Sequence, residues 1–148
     1  MIAVNGRVNP ILDSIVSDSQ KGFVPGKHIQ DNGWFVQTAM AAKKRGTALV
    51  FLDFKGAYDT VDHELLLDGM AAKGFGPRII NMVRAGLSKA ATRVKIGNVL
   101  SELIKMARGV RQGDPSATWE YDIICDIFVM LVEKYLSGVK LRGRSEKH

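Results

Sequence analysis

Asp53 closes an apolar run, Leu49-Val50-Phe51-Leu52-Asp53-Phe54, and is followed by Lys55-Gly56-Ala57-Tyr58-Asp59. A carboxylate delivered at the end of such a run can hold Mg²⁺ against a triphosphate, as metal-assisted phosphoryl transfer requires. A second stretch, Arg108-Gly109-Val110-Arg111-Gln112-Gly113-Asp114-Pro115, is a basic, glycine-hinged loop that carries a glutamine toward a helix. Gln112 offers two donors and an acceptor, and Arg111 a planar fork that suits phosphate, so together they could clamp a nucleotide. Gly109 and Gly113 would let the backbone approach a ligand closely. Tyr58 follows Asp53 by five residues, where an aromatic ring can stack under a sugar. No Asp-Asp pair occurs in the 148 residues, so a two-metal site looks half built.

Each feature also has a plainer reading: Asp53 as an aspartate opening a turn, Tyr58 as a core-facing ring, and the glycine-hinged stretch as an ordinary basic loop. Two other uses of a strand-end aspartate fit less well. A phosphotransferase of the haloacid-dehalogenase type needs Asp-x-Asp, but Lys55 holds the second position. A response-regulator receiver needs an acidic pair on an early loop, and the early segment has none. His28 and His63 are isolated and His148 is terminal, so zinc-ligand spacing is missing. Cys125 is the one cysteine, which excludes an internal disulfide and reads as a small core residue in a reducing, intracellular setting, nucleus or cytoplasm. Trp34 and Trp119 read as packing residues on helices.

These side chains must be positioned by a few elements. Residues 8–16 read as a short helix with Ile11, Leu12, Ile15 and Val16 on one face. Gly22-Phe23-Val24-Pro25-Gly26 is a loop, and Asp31 or Asn32 could cap a helix running to about Lys44. The apolar run 48–54 predicts a central strand. Asp62 predicts the cap of a helix through Leu65, Leu66 and Met70 that stops at Lys73-Gly74. Pro77 opens another, with Ile79, Ile80, Val83 and Leu87 at helical spacing. Arg93-Val94-Lys95-Ile96 alternates before a Gly97-Asn98 turn, which predicts a hairpin with Val94 and Ile96 toward a core. Asp114-Pro115 opens the longest helix, 118–136, with Ile123, Ile124, Ile127, Phe128, Leu131, Val132 and Tyr135 as its stripe. The order is α+β, with helices packed on a small, incomplete antiparallel sheet that leaves an edge unpaired.

A chain of this length, 46% hydrophobic and 24% charged, suits one domain with a core. No run approaches the ~18 apolar residues of a membrane span, and no leader peptide is expected at the N-terminus. The formal charge is +6, and it is unevenly spread. Nine basic residues and one acid, Glu102, lie between Lys73 and Arg111, whereas 114–133 holds five acids and no base. Such a field attracts a phosphate backbone, though a solvated basic face would look the same.

Together the motifs resemble a reverse transcriptase of the non-LTR (LINE-like) retrotransposon type, related to group II intron enzymes, collinearly from about Asn9 to Glu133. Residues 19–32, Ser-Gln-Lys-Gly-Phe-Val-Pro-Gly-Lys-His-Ile-Gln-Asp-Asn, are similar to the family's Gln-x-Gly-Phe-x-Pro-Gly block of the fingers. Residues 50–61 resemble its first palm motif, 108–115 its second, and Gly97-Asn98 with Ser101 its hairpin. The chain departs from the family at Gly56, where Lys is usual, and at Pro115-Ser116-Ala117-Thr118, where Pro-Leu-Ser-Pro is usual.

The resemblance implies a partial right-hand fingers-palm fold: 1–47 fingers, 48–140 palm without the Asp-Asp hairpin, and 141–148 a frayed tail. It implies Asp53 and the carbonyl of Phe54 as Mg²⁺ ligands (Mn²⁺ as substitute), with Asp53 catalytic. Tyr58 would be the gate against a ribose 2′-hydroxyl, and Arg111, Gln112 and Gly113 would line the nucleotide pocket. Lys27, Arg93, Lys95 and Arg108 would face nucleic acid. The implied partners are an RNA template, a DNA primer, deoxynucleoside triphosphates and the missing remainder of the polymerase. The expectation is an RNA-directed DNA polymerase fragment, inactive alone. The alternative is a non-catalytic nucleic-acid-binding remnant of a retroelement.

Overall fold

The computed structural model describes residues 2–42, 45–46, 48–136 and 138; the helix end expected at Lys44 and the tail expected over 141–148 lie outside them. The described residues form an α+β arrangement of helices and two small antiparallel ladders.

The chain opens with α1 (Ile2–Val8), a 3₁₀ turn (Asn9–Ile11) and α2 (Leu12–Ile15). Pro10 lacks an N–H and is tolerated where the turn begins, so the helix tightens there without reversing. Val4, Val8, Leu12 and Val16 form a buried stripe four residues apart, and Ile15 is partly buried. Ile11, expected on that face, is half exposed because the tighter turn rotates it outward.

Helix α3 (Gln30–Ala41) is preceded by Ile29, not capped by Asp31 or Asn32, and buries none of its residues. Trp34 is exposed, so it is not the packing residue expected.

The next helices follow their signals. In α4 (His63–Ala72) the Asp62 carboxylate accepts from the N–H groups of Glu64 and Leu65, both at 3.1 Å, filling two of the first turn's free donors. Gly74, at φ +83°, closes the helix in the left-handed conformation. Pro77 begins α5 (Pro77–Ser88). The longest helix, α6 (Ala117–Tyr135), starts after Pro115, which sits in the preceding turn and not in the first helical turn.

Leu66, Leu67 and Met70 of α4, Val83 of α5, and Trp119 and Ile123 of α6 make the core, which Val4 and Val8 join. The Phe75 and Trp119 rings stack with centroids 6.1 Å apart. Gly69 lets α4 approach α6 closely, since a Cβ there would come within 2.6 Å of Ile127 Cδ1. The far end of α6 leaves the core: Phe128, Leu131 and Tyr135 are exposed.

Two expectations about strands are corrected. Segment 48–54 is neither a strand nor buried; Val50 and Phe51 are 76% and 77% exposed. A central strand needs a neighbour on each edge, and among the described residues none pairs with it. The hairpin forms, but both its faces are open: Val94 and Ile96, expected to face a core, are exposed.

The hairpin's ladders are β1 (Ala91–Thr92) with β4 (Ile104–Lys105), and β2 (Lys95–Ile96) with β3 (Val99–Leu100). Ile96 opposes Val99 across a two-residue turn, and Gly97 at φ +58° with no positive φ at Asn98 matches a type II′ turn. Between the ladders, Arg93 and Val94 face Ser101, Glu102 and Leu103, a one-residue bulge. Ser101 spans it: its N–H donates to the Val94 carbonyl and its Oγ accepts from the Val94 N–H, each at 2.9 Å.

Candidate functional site

The turn after Asp53 is built around Gly56, at φ +65°. Its carbonyl accepts from the Asp59 and Thr60 N–H groups and from Thr60 Oγ1, all at 3.0 Å. This tight turn delivers Tyr58 and Asp59 side by side. The loop 108–115 docks on it: the Gly109 N–H donates to the Val61 carbonyl and the Val110 N–H to the Tyr58 carbonyl, both at 2.8 Å. His63 Nε2 lies 2.8 Å from the Gly109 carbonyl, which only accepts, so the ring donates to it as its Nε2–H tautomer.

Gly109, at φ +89°, is needed for this approach; a Cβ there would lie 2.9 Å from the Asp59 carbonyl oxygen. The glycine expected to admit a ligand thus first admits the other motif. Gly113, at φ +88°, has nothing within 4 Å of a built Cβ and stays open.

With Val110 buried, Gln112 is turned outward, its Nε2 3.3 Å from Asp59 Oδ1. Asp114 Oδ1 accepts from the Ser116 N–H at 3.0 Å and from its hydroxyl at 2.8 Å, which fixes the exit into α6. Tyr58, Gln112, Gly113, Asp114, Pro115 and Thr118 surround a cleft of about 420 Å³.

The structure therefore brings Tyr58, Gln112 and Gly113 to one cleft. Arg111 is exposed at its side and lines a smaller cavity with Asp114, Ser116 and Glu120. Asp53 is exposed at the end of the extended segment and does not line the cleft. The Tyr121 ring packs beside Tyr58, with centroids 5.0 Å apart, and its hydroxyl is held above its ordinary range by burial first, with the charge of Asp53 a smaller contribution. Phe54 turns the other way, edge-on to Phe128 at 5.4 Å, over an apolar groove.

Among the described residues no three His, Cys, Asp or Glu side chains cluster to hold a metal ion. The carboxylate of Asp53 is exposed, a hard oxygen donor of the kind Mg²⁺ takes when triphosphate and water supply most of its ligands.

Of the basic candidates, Arg93 and Lys95 are exposed on the hairpin. Arg108 is exposed, with its Nε 3.8 Å from Asp62 Oδ2. Lys27 is turned inward: its side chain is 7% exposed, and Nζ lies 3.1 Å from Asp13 Oδ1 and 2.9 Å from the Ser17 carbonyl. That ammonium neutralises the protein's own acceptors and is not offered to a phosphate.

Sequence reasoning missed the acids of α6. Asp126 is fully buried and receives Lys73 Nζ and, at 2.7 Å, the Ser17 N–H. Burial pushes its pKa up, but Lys73 and Ser17 outweigh that and hold it below the usual carboxylate value. Asp122 accepts from Gln20 Nε2 at 2.9 Å, leaves Oδ2 without a partner, and is raised by burial to about 6. Glu120 is buried with Oε1 unpartnered; burial, with a smaller push from Asp114, raises it to about 7 against a lowering by the neighbouring Ser116 hydroxyl. Their signal was acids inside an apolar helical pattern. His63, read as isolated, turns out to pin the loop.

The fold thus presents two docked motifs over one cleft. The chain belongs to the reverse transcriptase (RNA-dependent DNA polymerase) family, whose pattern matches residues 2–142, and is of the non-LTR retrotransposon type. It is 32% identical over 143 residues to the Transposon TX1 uncharacterized 149 kDa protein of Xenopus laevis, covering 95% of this chain and 11% of that protein. It is 25% identical over 115 residues to the Retrovirus-related Pol polyprotein from type-1 retrotransposable element R2 of Nasonia vitripennis, covering 76% and 11%. It is 29% identical over 119 residues to the Putative 115 kDa protein in type-1 retrotransposable element R1DM of Drosophila melanogaster, covering 78% and 11%. The chain spans about a tenth of the length of these curated relatives.

Proposed function

We propose that this chain is the fingers-palm segment of an RNA-directed DNA polymerase, with fingers over 1–47 and palm over 48–140. The observation that carries the reading is the docking of loop 108–115 on turn 56–61, which sets Tyr58 and Gln112 on one cleft. Asp53 and the Phe54 carbonyl would hold Mg²⁺. A bound ion would neutralise charge on the triphosphate and favour the attacking hydroxyl as its oxyanion. Tyr58 lies under the sugar and excludes a 2′-hydroxyl by bulk. Gln112, steadied by Asp59, offers its amide to the incoming nucleotide, and Arg111 supplies charge at the cleft's side. The exposed cations of the hairpin face the template and primer. The substrates are deoxynucleoside triphosphates, the setting is inside the cell, and the isolated chain extends no primer because Asp53 is one carboxylate where two-metal chemistry shares several.

Calorimetric titration of the chain with Mg²⁺ tests the metal site. The expected result is weak binding that Asp53→Ala removes. A tight Asp53-dependent site would overturn the half-site reading. Binding indifferent to Asp53→Ala would remove Asp53 from the metal.

A further inference from the structure

The Gly109 carbonyl and the Val110 N–H belong to one peptide plane, and the other motif grips both ends of it. The N–H end donates to the Tyr58 carbonyl and the carbonyl end accepts from His63 Nε2, each at 2.8 Å. A rigid plane held at both ends cannot turn about the chain. The grip falls where turning would be easiest, directly after a glycine at φ +89°. Gly109 is buried, so its carbonyl needs a partner from the protein, and the imidazole is that partner.

His63 is itself firmly mounted. It is the first residue of α4, whose start is fixed by the Asp62 cap and whose body is fixed in the core by Leu66, Leu67 and Met70. The ring is half-buried. It therefore carries the rigidity of the core to the loop.

Gln112 has no such mounting of its own. It is exposed, and its side-chain amide reaches one acceptor, the equally exposed Asp59, at 3.3 Å, a long hydrogen bond. On its far side Gly113, at φ +88°, stands in open space. Residues 110–112 thus lie between two glycines, and only the first is locked. The direction in which Gln112 leaves the turn is set by the plane that His63 holds, together with the burial of Val110.

We propose that His63 is a positioning residue for nucleotide binding: its hold on the Gly109 carbonyl sets the Gln112 amide in the cleft. The proposal rests on the nucleotide reading above, and its test separates the two. The full chain is titrated with a deoxynucleoside triphosphate and Mg²⁺, alongside His63→Gln, His63→Leu and His63→Phe. Gln presents an N–H at about the reach of the imidazole Nε2, whereas Leu and Phe keep bulk without a donor. His63→Gln should bind like wild type. His63→Leu and His63→Phe should bind at least about fivefold more weakly, the effect of one lost hydrogen bond. In a Gln112→Ala background the same replacements should change affinity by less than about twofold, because His63 acts through Gln112. Val83→Ala, a core truncation away from the cleft, should lower the thermal midpoint and leave affinity unchanged. The Gln112 side-chain amide resonance, followed by NMR without nucleotide, should move in both donorless variants and return in His63→Gln.

If wild type binds the triphosphate and a folded donorless variant binds it equally, the positioning role is refuted while the nucleotide reading stands. A loss that persists in full without Gln112, or a Gln112 resonance unmoved by loss of the donor, also overturns it. If wild type binds no triphosphate, the nucleotide reading fails and takes the positioning role with it.

Discussion

Glu120 and Asp122 are carboxyls that folding removes from water, and burial raises them from 4.5 to about 7 and from 3.8 to about 6. Within those windows the unfolded chain has released protons that the folded chain keeps, so stability falls as pH rises through them. Asp126 has the opposite sign: its lowered pKa contributes stability above its ordinary value, lost as pH falls through the folded value. Unfolding midpoints should therefore decline between about pH 4 and about pH 7. Glu120→Gln and Asp122→Asn should each flatten that decline by roughly 3 kcal/mol. Midpoints that climb steadily over the same range would contradict two buried neutral acids. These residues were illegible in the sequence because an acid on a helix reads as solvent-facing until its neighbours are known. The meeting of Tyr58 and Gln112 on one cleft could be expected only from the two motifs taken together, since each alone had a plainer reading. Lys27 lay in such a motif too, but nothing local shows that Asp13 would claim it.

At the scale of elements, the contact between loop 108–115 and turn 56–61 depends on Gly109. Gly109→Ala would set a Cβ against the Asp59 backbone, which cannot swing aside as a side chain can. The expected loss is about 1–3 kcal/mol, a fall of about 2–4 °C in thermal midpoint for each. Gly113→Ala shares the positive φ without the clash, so it should cost less. Equal losses at the two positions would mean that the docking adds nothing beyond backbone strain. Helices α4 and α5 could be read from Asp62 and Pro77 because capping is settled within a turn of chain. The strand expected over 48–54 could not, because pairing is a distant decision: an apolar run states that it wants neighbours, and among the described residues no strand pairs with it. The hairpin shows both halves of this point. Its two-residue turn was local and readable, while the burial of Val94 and Ile96 depended on a layer that does not cover them.

Across the whole molecule the charge is segregated. Some of the basic stretch is spoken for internally, Lys73 by Asp126 and Arg84 by Glu64 at 2.9 Å, whereas Arg78, Lys89, Arg93, Lys95, Lys105 and Arg111 are exposed. RNA binding should weaken steeply with salt, with a log–log slope of about −0.7 for each phosphate neutralised on a single strand and about −0.9 on duplex DNA. Arg93→Ala with Lys95→Ala should make that slope shallower; an unchanged slope would place the contact surface elsewhere. The central claim, that turn and loop together form the nucleotide site of a polymerase, is tested most directly by primer extension. The assay uses a chimera in which this chain replaces the matching segment of a complete relative, on an RNA template with a DNA primer. The chimera should synthesise DNA and the 148-residue chain alone should not. Asp53→Ala should abolish synthesis, and Tyr58→Ala should retain it while admitting ribonucleotides. Synthesis that survives Asp53→Ala, or a Tyr58→Ala chimera that still refuses ribonucleotides, would contradict it.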